Sequence, residues 1–140
     1  MNTDSTIDVE FHPSGKMAIR RITKDTTFEN VGDFNYSPIS HENFVKGMST
    51  LWDFRNASLK SFTGISTQAV IELAKTSRES RLEQRGDGGL AIVLKSKFGT
   101  GMANMFGGFY KTPNMSILVT SNYEEAIEWC CENHAMEIKA

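Results

Sequence analysis

The sequence holds few residues at spacings that chemistry needs. His41 could serve as a general base and Asp53 as a catalytic carboxylate, but neither has a second titratable group at a recognisable spacing. Nucleophilic catalysis needs a nucleophile, a base and an orienting group brought together, and no serine stands in a strained Gly-x-Ser-x-Gly turn. Cys130 and His134 are four apart in a helical stretch, half of a zinc site, and no second ligand pair completes it. Gly99-Thr100-Gly101 opens a helix after a strand, as a dinucleotide fingerprint does, yet its third glycine position holds Asn104 and no Walker lysine pattern is present. We therefore expect no catalytic residue, no metal and no cofactor.

Two other groups of residues invite a binding role. Phe98, Met102, Met105, Phe106 and Phe109 recur at helical spacing among Gly99, Gly101, Gly107 and Gly108. Soft side chains beside loosening glycines could line the mouth of a pocket for a small apolar or lipid-like ligand, or they could simply pack one helix face on a sheet. Arg78, Arg81 and Arg85 could form a basic patch, but Glu79 and Glu83 lie among them, and a solvated helical face is the expectation.

The elements that must position these residues follow from periodicity. Ile7, Val9 and Phe11 alternate with acidic residues as a half-buried strand, His12-Pro13-Ser14-Gly15 turns the chain, and Lys16–Thr23 returns as a second strand. Thr26 and Glu29 fit a capping box for a short helix, and the stretch 30–47 has no clear pattern. Met48–Arg55 reads as a strand. Ser66 can cap a helix carrying Ala69, Val70, Leu73 and Ala74, which Gly86-Asp87-Gly88-Gly89 ends. Leu90–Leu94 is continuous and apolar, as a central parallel strand would be. The Phe98–Phe109 helix, a strand over Met115–Thr120, and a last helix capped by Ser121 with Glu124 complete the chain. The order ββ(α)βαβαβα predicts an α/β fold: a mostly parallel sheet of four to five strands, an N-terminal β-hairpin and flanking helices.

The chain has 140 residues, of which 39% are hydrophobic and 23% charged, with a formal net charge of −2. This composition supports one globular domain over residues 1–140, with residues 1–6 as a flexible tail, and excludes wholesale disorder or a disulfide scaffold. The whole-chain balance makes no electrostatic case for nucleic acid or a membrane surface, and no apolar run is long enough for membrane insertion. The polar start lacks the pattern of a signal peptide. Adjacent cysteines, Cys130 and Cys131, diverge on a helix and read as reduced thiols, so a cytoplasmic location is expected.

Two stretches carry a resemblance. Leu51-Trp52-Asp53-Phe54-Arg55-Asn56-Ala57 resembles a strand signature, and Ser121-Asn122-Tyr123-Glu124-Glu125-Ala126-Ile127-Glu128-Trp129 resembles a terminal helix, both of the SpoIIAA-like branch of the STAS-like family. The likeness extends over about residues 7–134 and departs from the branch at 30–47. It implies a non-enzymatic STAS-like domain, while related folds bind partner proteins, nucleotides or hydrophobic ligands. Anti-sigma-factor antagonists carry Asp-Ser-Ser-Gly-Leu after this strand, with the second serine phosphorylated. Ser61-Phe62-Thr63-Gly64-Ile65 is similar to that motif, with Thr63 at the phosphoacceptor position and Gly64 on its glycine. Phosphate there would meet a helix N-terminus and add charge that repels a partner. The alternative is that Thr63 or Ser66 only caps the helix. The resulting expectation is a regulatory module that binds a protein partner through Ser61, Thr63, Gly64 and Ser66. A homodimer through an exposed edge strand also stays open.

Overall fold

The computed structural model describes residues 7–22, 42–57 and 64–136. The tail 1–6, the capping box at Thr26, His41, Ser61 and Thr63 lie outside them.

Strand β1 (Ile7–Phe11) and strand β2 (Met17–Ile22) form the expected hairpin, with Ile7 opposite Ile22 and Phe11 opposite Ala18. Strands β3 (Ser49–Asp53), β4 (Leu90–Val93) and β5 (Ile117–Thr120) then add in sequence, each parallel to its predecessor, giving the order β1-β2-β3-β4-β5. Three helices are described: α1 (Thr67–Arg85), α2 (Lys97–Tyr110) and α3 (Tyr123–Glu132). The expected α/β fold, a mostly parallel five-stranded sheet with an N-terminal hairpin, is the one observed.

The helices divide between the two faces, and strand alternation sorts the core with them. Trp52, Leu90 and Ile92 point to the side covered by α1 and α2, where they meet Val70, Ala74, Phe106 and Tyr110. Leu51, Ala91 and Val93 point the other way, to Ala126 and Cys130 of α3. Right-handed crossovers that always step in one direction put both connecting helices on one face. The order of the described parallel strands steps in one direction only, without a reversal among them.

Local chemistry sets the helix ends. The Ser66 hydroxyl accepts the Ala69 N–H at 3.1 Å, as the capping reading requires. Gly86, at φ +76°, ends α1 in a conformation that a side chain would resist. Ser96 caps α2 by accepting the Gly99 N–H at 2.9 Å, which occupies a donor that a nucleotide phosphate would have needed. The expected cap of the last helix is off by one residue. Asn122, not Ser121, accepts the Glu125 N–H at 2.9 Å, and Thr120 donates to the Glu125 carboxylate at 2.8 Å. Both frames present a polar residue followed three positions later by Glu; the strand end at Thr120 decides between them.

Arg85 also departs from expectation. It is fully buried, not part of a solvated face. As the last residue of α1 it turns over the N-terminal ends of the strands. Its guanidinium donates to the carbonyls of Gly88 (2.6 Å) and Gly89 (2.9 Å) and to the Thr50 hydroxyl (2.6 Å).

Candidate functional site

In a parallel sheet the helices that follow the strands all begin at the strands' C-terminal edge, where ligands of open α/β sheets also gather. Here β3, β4 and β5 end at that edge, and α1, α2 and α3 start from it.

Asp53 ends β3 with its side chain 4% exposed. Its Oδ1 accepts the Arg55 backbone N–H at 3.0 Å and Arg55 Nε at 2.9 Å, and its Oδ2 accepts Arg55 Nη2 at 2.9 Å. This fork fixes the guanidinium as a plane, and the same hydrogen bonds raise the Arg55 pKa above its ordinary value. Both Asp53 oxygens are engaged in holding a cation, an arrangement suited to orienting Arg55.

The held guanidinium lies 3.8 Å from the centre of the Tyr123 ring, at the first residue of α3. From the other side Arg21, near the end of β2, reaches the Tyr123 hydroxyl at 3.3 Å and pairs with Glu10 of β1. The register places Arg21 directly opposite Asp53. The side chains of Arg55 and Arg21 remain 32% and 35% exposed. The edge thus presents two arginines around one tyrosine, anchored by carboxylates and open to solvent. Arg and Tyr are the residue types that dominate the energetics of protein interfaces.

Of the residues chosen from sequence, Gly64 and Ser66 stand at this same edge, at the entrance to α1. Gly64 has φ +88°, Ser66 is exposed, and its hydroxyl is in use as the cap. The sequence reading did not find the Arg55–Tyr123–Arg21 cluster. Asp53-x-Arg55 at a strand end was its one available signal, and Tyr123 and Arg21 arrive from other elements.

The five side chains proposed as a pocket mouth do not converge. Phe106 is in the core, its ring 5.5 Å from Trp52 and 5.4 Å from Tyr110. Met102 and Met105 are half-buried against that core. Phe98 and Phe109 face outward, 48% and 38% exposed, and Lys75 Nζ lies 5.7 Å from the Phe109 ring centre.

Among the described residues Cys130 and His134 do not gather with further ligands into a site. Cys130 is buried, its Sγ 3.8 Å from the Thr50 carbonyl oxygen. Burial first, and Cys131 second, push its thiol up to about 12. His134 accepts the Met136 N–H. Among the described residues no group of three or more His, Cys, Asp or Glu could hold a metal ion. No described helix is long and apolar enough to cross a membrane.

No family model matches the sequence, and no curated protein aligns with it. Among solved structures it aligns with a crystal structure of an uncharacterised protein of the DUF3478 family from Shewanella loihica, described as having a SpoIIAA-like fold. The TM-score is 0.54 at 16% identity, over 89% of this chain and 92% of that one. At this identity the likeness shows the fold, which is the SpoIIAA-like one that the resemblance implied.

Proposed function

We propose that the protein is a non-catalytic, cytoplasmic regulatory module that captures a protein partner at the C-terminal edge of its sheet. The observation that carries this reading is the half-exposed Arg55–Tyr123–Arg21 cluster, pre-oriented by the Asp53 fork. Side chains already fixed in the free protein lose little freedom on docking, which favours binding. The contact continues along the same edge to Gly64 and Ser66; Ser61 and Thr63 precede them in the sequence, and a phosphoryl group on Thr63 would add negative charge and loosen the complex. An occupied Asp53 supports binding over catalysis, since a general base needs a free oxygen to take a proton.

The test begins with affinity purification from the organism's own cells, identification of a stoichiometric partner, and reconstitution of the purified pair. Arg21→Ala and Thr63→Glu should each weaken the reconstituted complex by about tenfold or more while the thermal midpoint barely moves. Unchanged affinity in both variants would overturn the reading.

A further inference from the structure

The outer face of α2 carries chemistry that the proposed partner site does not use. Phe98, Met102, Met105 and Phe109 stand at i, i+4, i+7 and i+11, one continuous stripe along the helix. Its inner stripe, with Ala103, Phe106 and Tyr110, is buried in the sheet core. Of the described large apolar side chains only Val45, Phe98 and Phe109 are exposed, so two of the three lie on this one helix face. Gly101 and Gly108 beside the stripe are exposed with open space above them.

The charge carried by α2 and its flanks is all of one sign, while α1 mixes Lys75 with Glu72 and Glu79, and Asp87 accepts from Thr112 beside Lys111. The chain as a whole is acidic by two charges, yet no Asp or Glu occurs between Asp87 and Glu124. The charged residues in that interval are Lys95, Lys97 and Lys111, all exposed, two before Phe98 and one just after Tyr110. Lys75 of α1 adds a fourth cation beside Phe109. The whole-chain balance conceals this distribution.

The geometry points to α2 as a peripheral docking face for an anionic lipid surface, with Phe98 and Phe109 seated among the headgroups and the lysines on lipid phosphates. Aromatic side chains with flanking cations on a surface helix are what interfacial binding requires, without any crossing of the bilayer. A second copy of this chain is the poorer occupant. Two stripes packed antiparallel would set Lys97 near Lys111 of the other copy, and like charges repel. A protein partner would need a surface shaped around the crest of this helix, whereas a fluid lipid surface adapts to it.

The experiment is co-sedimentation of the full chain with phosphatidylcholine vesicles, alone or with about a third phosphatidylglycerol. The protein should partition onto the anionic vesicles and not the neutral ones, and high salt should release it. Replacing Lys97 or Lys111 by Ala should weaken partitioning about fivefold each. The double variant Phe98→Ser/Phe109→Ser should weaken it about tenfold or more with an unchanged circular dichroism spectrum. Failure to sediment with anionic vesicles, or sedimentation insensitive to these variants, would overturn the inference. Capture of an acidic amphipathic peptide in place of vesicles would overturn it equally, by assigning the face to a protein.

Discussion

The two ends of the parallel strands use the same residue for opposite purposes. At the N-terminal end Arg85 is fully buried, its fork closed on the carbonyls of Gly86, Gly88 and Gly89 and on the Thr50 hydroxyl. At the C-terminal end Arg55 is held just as firmly, by a carboxylate, but keeps a third of its side chain in solvent. Around Arg85 the backbone itself is packed: a Cβ on Gly88 would overlap the Met48 carbonyl oxygen, and the segment after α3 is tied down by Ala135 donating to the Gly47 carbonyl at 2.7 Å. Among the described residues no comparable closure covers Arg55, Tyr123 and Arg21. One end is a lock between elements. The other holds its arginines in place while leaving part of each in solvent, which is why the proposed partner is placed there.

The contrast can be broken at the locked end first. Arg85→Ala leaves the buried Thr50 hydroxyl and the Gly88 carbonyl without their donor and opens a cavity, so unfolding stability should fall by about 3–5 kcal/mol in urea titration. A loss below about 1 kcal/mol would mean that the guanidinium is not a structural tie.

Cys130, beneath the same end of β3, adds a pH test. Its thiol is raised from 9.0 to about 12 in the folded chain. Below pH 9 both states hold the proton and the shift has no effect on stability. Between pH 9 and 12 the unfolded chain ionises while the folded one does not, so stability falls as pH rises, by up to about 4 kcal/mol. Cys130→Ala should flatten that part of the stability curve relative to the parent; parallel curves would contradict the buried thiol. At pH 8 an alkylating reagent should modify half-buried Cys131 well before Cys130.

Gly88→Ala forces a backbone shift against Met48 and should cost about 3 kcal/mol, measured the same way. Arg55→Ala, at the open end, should cost about 2 kcal/mol, because it strands a buried carboxylate that keeps one backbone donor. Arg21→Ala is the mildest change to the fold: a surface pair with Glu10 contributes at most about 1 kcal/mol.

The strands and one helix cap were legible in sequence, and the side-chain clusters at the two ends of the sheet were not. Leu90–Leu94 announced a doubly covered strand, Ser66 the cap of the helix that carries Ala69 to Ala74, and the apolar Leu51, Trp52 and Phe54 a strand, because each signal is local. Arg85 looked like one more charge on a polar helix. Only the turn at Gly86-Asp87-Gly88-Gly89, which carries the chain back beneath the helix, takes that residue inside. The capping frame at Ser121 and Asn122 was ambiguous because both frames meet the same rule, and the end of β5 settles it. Phe106 and Phe109, three apart in one run of soft residues, have opposite fates, since a helix that lies on a sheet buries only one of its faces. The Arg55–Tyr123–Arg21 cluster joins three elements and could emerge only once the sheet order was known.

The most direct test of the open end is the affinity of the purified partner for Arg21→Ala, by calorimetry, beside the thermal midpoint of the same variant. Binding should weaken by about tenfold or more at a nearly unchanged midpoint. Parent-like affinity would contradict the claim that this edge is the docking surface.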